Sequence, residues 1–206
     1  MRKLFFSVAF AMLMSVTVHA QEVDSMFVNM PDSLFPYLSS AQRVELVNLK
    51  RVDTSTSAGL RSALDCEVAL QYADAERMTL ALDSTAIVEL AMQKVNDRNV
   101  CCLLRTVPTP EPSTSAVLYD EEWKQIKRLT LDTVSFTTRP DTMSIAQYDE
   151  LCKLIEFPLV EVHFEDASTI DLRLNVPLVS KDEREKLAAI IVQRKMKWNG
   201  QEYVCE

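Results

Sequence analysis

The chain has 206 residues, 22 of them basic and 30 acidic, for a formal net charge of -8 at pH 7. It holds two glycines, Gly59 and Gly200, and two histidines, which excludes glycine-rich phosphate loops, dinucleotide fingerprints, Gly-x-Ser-x-Gly nucleophile elbows and multi-histidine zinc sites. An acidic balance without a basic run argues against nucleic acid and against an anionic membrane surface, since both are bound by neutralising phosphates.

Residues 1–20 read as a cleaved signal peptide. Arg2 and Lys3 precede an almost wholly apolar or small run from Leu4 to Val18, and Val18-His19-Ala20 has the small or compact residues that a signal peptidase reads. The run is too short for a membrane span, and polar Gln21, Glu22 and Asp24 follow at once. No cysteine follows the cut, which argues against a lipid anchor, and no later stretch could cross a bilayer as a helix. The expectation is therefore an exported protein, periplasmic or secreted, cut after Ala20. Losing Arg2, Lys3 and His19 makes the mature chain more acidic and leaves His163 as its one histidine.

Export makes the five cysteines, Cys66, Cys101, Cys102, Cys152 and Cys205, an odd set for an oxidising compartment. There is no Cys-x-x-Cys, so a thioredoxin-like redox site and a zinc knuckle are both disfavoured. Cys101 and Cys102 are neighbours in an expected strand, so their side chains point to opposite faces. A bridge between them would strain the backbone, and the cysteines are read mainly as small buried hydrophobes.

Three helix starts carry capping boxes, in which a serine caps an amide and a Gln or Glu three residues on reaches back: Ser39 with Gln42, Ser144 with Gln147, and Ser180 with Glu183. The apolar spacing behind the first predicts a short amphipathic helix to about Lys50, and residues 53–62 read as a small, polar loop. From Glu67 the period becomes two. Val68, Leu70 and Tyr72 are expected opposite Leu82, Leu80 and Met78 across a turn near Asp74-Ala75-Glu76. Residues 86–94 and 99–107, joined through Asn96-Asp97-Arg98, are apolar at both parities and are expected to be covered on both faces. Pro108, Pro110 and Pro112 break the ladder as an exposed loop, and a strand resumes at 116–119, so the strands form an antiparallel meander.

Ser144 and Ser180 each open a helix followed by a hairpin. Leu151 aligns with Leu187, Cys152 with Ala188 and Ile155 with Ile191, a weak repeat of an αββ unit. The expected fold is α+β: antiparallel sheets carrying two or three helices, with that repeat in the C-terminal third. Residues 21–206 are expected to be one such domain, or two closely packed lobes of about 21–138 and 139–206. The last hairpin is expected to turn on Asn199-Gly200 alone, pairing Trp198 with Gln201 and Met196 with Tyr203, the latter two under the preceding helix.

His163 invites a sharper hypothesis, because Glu161 and Glu165 flank it on one strand face and such a histidine could bind a metal or act as a base. With a turn at Asp166-Ala167-Ser168, however, His163 falls opposite Asp171 and Glu161 opposite Arg173. That describes a solvated face of weak charge pairs, so alanine at His163 is expected to change little. Asp120, Glu121 and Glu122 lack the alternating oxygen ligands and the turn glycine of a calcium loop and read as a solvated turn. Trp123 and Trp198 read as packing anchors. No residue is assigned a catalytic, cofactor-binding or metal-binding role, and no cofactor is expected.

Met30-Pro31-Asp32-Ser33-Leu34 and Pro36-Tyr37-Leu38, followed by Arg105-Thr106-Val107 before a variable loop and by Tyr119-Asp120 and Trp123-Lys124, resemble a family of uncharacterised exported proteins from Gram-negative anaerobes, filed as a domain of unknown function. The likeness runs from about Ser25 to the C-terminus. It implies export and domain extent, and no activity. The residues themselves favour a non-catalytic envelope protein that binds another protein or a peptide through a sheet face or edge. The alternative is a hydrolase of envelope polymers using two of the 30 acids as a pair.

Overall fold

The computed structural model describes residues 22–52, 57–108, 111–131 and 135–205, so the leader expected at 1–20 and Pro110 lie outside the described residues. Two helices, α1 (Glu22–Val28) and α2 (Ser40–Val52), precede seven strands: β1 (Ala58–Arg61), β2 (Glu67–Ala73), β3 (Arg77–Leu82), β4 (Ala86–Val95), β5 (Arg98–Val107), β6 (Ser113–Asp120) and β7 (Gln125–Arg128). Then α3 (Ile145–Cys152) leads into β8 (Leu159–Phe164) and β9 (Thr169–Asn175), and α4 (Lys181–Leu187) into β10 (Arg194–Trp198) and β11 (Tyr203–Cys205). Each strand pairs antiparallel with its sequence neighbour, giving a seven-stranded sheet β1 to β7 and a four-stranded sheet in the order β11-β10-β9-β8.

Eleven strands and four short helices among the described residues overturn the expected α+β fold with two or three helices. The fold is sheet-rich. Helix α1 has no capping serine to announce it. β1 hides in a stretch of small residues around Gly59, and all four residues of β7 are exposed, so neither strand shows a clear apolar alternation. The order helix-strand-strand does recur, but α3 and α4 gather with Val176 and Ile190 in a small cluster of their own instead of layering over the sheet.

Residues 86–107 set the architecture. A strand that is apolar on both faces must be covered on both, and β4 and β5 are. On one side Val88, Leu90, Cys101 and Leu103 meet Val23, Phe27, Phe35 and Leu46 from α1, α2 and the segment between them. On the other side Cys102, Leu104 and Leu118 meet Val162, Leu172, Met196 and Tyr203 of the four-stranded sheet. Asn96 and Asp97 close the hairpin with φ of 49° and 63°, a two-residue turn that these residue types tolerate.

The segment joining α1 to α2 is held by Arg43, whose side chain is 1% exposed. Its Nε donates to the Leu38 carbonyl at 3.0 Å, and its terminal nitrogens donate to the carbonyls of Phe27, Val28 and Met30 and to Asp32. All three expected capping boxes form, with Gln42, Gln147 and Glu183 each reaching back to the serine amide.

Two registers differ from expectation. The β2–β3 ladder shifts between Leu70 and Tyr72, so Tyr72 lies opposite Thr79 and is exposed, because the extra residue of a bulge displaces the later pairs by one position. At the C-terminus Trp198, not Met196, pairs with Tyr203. Asn199 Oδ1 accepts from the amides of Gln201 and Glu202, and Gly200 takes φ +96°, so the side chain closes a four-residue loop in place of a two-residue one. The shift of two preserves parity, so Met196 and Tyr203 still share a buried face, but that face meets the seven-stranded sheet and not α4.

Candidate functional site

A cavity of about 580 Å3 opens between the two sheets, inside the range of ligand pockets. One wall is the consecutive run Ser113 to Ala116 of β6; the facing wall is Pro158, Leu159 and Val160 at the start of β8. Leu129, Leu131, Phe136, Ile155 and Leu174 supply apolar floor, and Ser135, Thr137 and Cys152 complete the lining with Arg128. Among the described residues that line it, Arg128 alone is charged.

Consecutive residues line a cavity only where it runs along the edge of a strand. β7 pairs with β6 at Val117, Leu118 and Tyr119, and its line ends where Leu129 N–H donates to the Ala116 carbonyl. Asp120 N–H also points to that side, donating to the Lys124 carbonyl. Main-chain groups alternate sides along an antiparallel strand. Thr114, next in the series, therefore turns its N–H and C=O toward the cavity, beyond the end of β7. Across the gap, Val162 N–H turns away from β9 and donates to Thr114 Oγ1 at 2.9 Å, with Thr106 Oγ1 behind it at 2.8 Å. By the same alternation Val160 presents its main chain to the cavity. The site is a slot between two strand edges, a feature that no local pattern in the sequence marks.

A second cluster forms around His163. The β8–β9 register is as expected, with His163 opposite Asp171 and Glu161 opposite Arg173. The face is not the solvated one expected, because Glu89 of β4 reaches it from the other sheet. His163 Nδ1 lies 3.0 Å from Glu89 Oε2, and Nε2 lies 2.9 Å from Glu161 Oε1. The Glu89 hydrogen bond, helped by Glu161 and opposed by burial, pushes His163 up to about 9. That shift favours the imidazolium at neutral pH, with a carboxylate within hydrogen-bond distance of each ring nitrogen. Asp171 instead meets Lys195, which also pairs with Glu165.

Asp120, Glu121 and Glu122 form a turn. Asp120 Oδ1 accepts the amides of Glu122 and Lys124, and Glu121 Oε1 accepts that of Asn99. Among the described residues no group of three His, Cys, Asp or Glu could hold a metal ion. No disulfide joins the five cysteines: Cys101 and Cys102 are buried, Cys66 and Cys152 half-buried, and Cys205 exposed. Trp123 is buried, its indole N–H donating to the Met26 carbonyl at 3.1 Å, and Trp198 packs edge-on against Tyr203. No described helix is long and apolar enough to cross a membrane.

The motifs behind the family resemblance come together as framework. Asp32 and the Met30 carbonyl hold Arg43, Arg105 donates to the Leu34 carbonyl, and Trp123 reaches α1. None of these residues lines the slot.

The family model described as protein of unknown function (DUF3256) matches residues 15–203. A solved domain of an uncharacterised protein from Porphyromonas gingivalis W83, a Gram-negative anaerobe, superposes with a TM-score of 0.71 at 19% identity, over 91% of this chain and 98% of that one. At that identity the likeness establishes a shared fold. No curated protein matches the chain.

Proposed function

Because the chain belongs to the family of unknown function DUF3256, we propose its role from the geometry: an exported, non-catalytic protein that holds an extended segment of another envelope protein or a peptide in the slot between β6 and β8. One observation carries this reading, namely that the slot is walled by the edges of two strands with apolar side chains beneath. Main-chain groups at Thr114 and Val160 offer the bonds of an added strand, and apolar pockets take its side chains.

The paired-carboxylate alternative has less behind it. Of four cavities lined by described residues, none has two acids in its wall. Glu89 and Glu161, which converge on His163, are both engaged by it, and Glu165 and Asp171 are engaged by Lys195. The test is to pan displayed libraries of short peptides against the purified protein and against Val160→Trp, which enlarges a half-buried side chain on the inner wall of the slot. Wild type should enrich peptides that the variant does not. No enrichment, or equal enrichment by both, rejects the proposal.

A further inference from the structure

We infer that the slot takes the free C-terminal end of its partner chain, with the terminal carboxylate set against Arg128. This rests on the reading of the slot as a site for an extended peptide. The warrant is a blocked strand line combined with one charge.

A segment hydrogen-bonded to Thr114 lies on the line that β7 occupies further along β6. That line is filled from Ala116 onward, where Leu129 N–H holds the Ala116 carbonyl and Arg128 stands opposite Val117. An added strand runs into the end of β7 and must stop there or bend out of the sheet. A chain that stops brings a terminal charge to that point. Among the described residues that line the slot Arg128 is the one charged residue and none is an acid, and Arg128 has no ion-pair partner among the described residues.

A terminal ammonium would be repelled by that guanidinium, whereas a terminal carboxylate can accept a bidentate pair from it. Polarity then sets direction. The C-terminus sits toward Ala116, so the partner runs parallel to β6, from Ser113 toward Ala116. The apolar floor, Leu129, Leu131, Phe136 and Leu174, takes its last side chains.

Two display formats test this. One leaves the peptide C-terminus free, and the other fuses it to the carrier. The free format should enrich binders and the fused format should not. Recovered sequences, made synthetically, should bind about tenfold tighter as carboxylates than as carboxamides. Arg128→Gln, at an exposed position, should remove that difference by weakening the carboxylate about tenfold. Enrichment in the fused format, or equal affinity of carboxylate and carboxamide, overturns the inference and leaves peptide binding standing. Enrichment in neither format removes the peptide reading itself. Dodecanoate binding in the slot with no peptide able to displace it also overturns the inference, and makes the ligand an apolar acid.

Discussion

Glu89 on β4 and His163 on β8 join the two sheets by a hydrogen bond of 3.0 Å between side chains 74 residues apart. The Glu89 side chain is 9% exposed and that of His163 37%. Removing the histidine leaves a buried carboxylate short of its partner, so His163→Ala should cost about 1 kcal/mol or somewhat more, against the near-neutral change expected for a solvated face. Urea unfolding at neutral pH measures it.

The same pair predicts a pH dependence. His163 is raised from 6.5 to about 9, so the folded state binds its proton more tightly than the unfolded chain does. The resulting stability is present in full below about pH 6.5 and is lost as pH rises through about 9. Between pH 7 and 10 the melting temperature of the wild type should fall further than that of His163→Gln. Parallel curves would show that the imidazolium contributes nothing.

Arg43 is expected to matter far more than its ion pair. Asp32 is 77% exposed, so Asp32→Asn should cost less than about 1 kcal/mol. Arg43→Met strands several buried carbonyls at once and should cost about 3 kcal/mol or more. Equal effects of the two variants would place the energy in the surface pair.

The thiols should separate by depth. Burial pushes Cys101 and Cys102 up, and the thiolate is the reactive form. A maleimide should label Cys205 first in the native protein and reach Cys101 and Cys102 only after denaturation, as mapped by peptide mass. Native labelling of either buried thiol would mean that β5 opens.

Tyr203 is 2% exposed, and its hydroxyl donates to the Ala167 carbonyl. Tyr203→Phe should cost about 1 kcal/mol for the lost bond. Ending the chain at Asn199 should cost more, since it also removes about 2 kcal/mol of buried side chain and bares the edge of β10. A truncated protein that melts with the wild type would make β11 dispensable.

Several features were legible because they are local. The three capping boxes depend on groups three residues apart, the link through Asn96-Asp97-Arg98 on a polar break between two apolar runs (tightened in the structure to Asn96 and Asp97, with Arg98 paired to Val95), and the β8–β9 register on strict alternation across a short turn. The split of Cys101 and Cys102 into different cores comes from period two alone. Where a side chain or an extra residue intervened, the same logic misplaced the chain. Gln71 bulges and turns Tyr72 outward, and Asn199 closes its own loop.

The sequence by itself determined the antiparallel meander, the capped helices and the absence of glycine-rich and multi-histidine chemistry, because each is decided by residues within a few positions or by composition. Only the tertiary structure decided that Glu89 meets His163, that Arg43 holds the α1–α2 segment, and that β7 stops short on β6. Stacking one sheet on the other is what opens the slot. That arrangement depends on how distant strands cross, and the hydrophobic effect that drives it is non-directional, so no spacing in the chain records it.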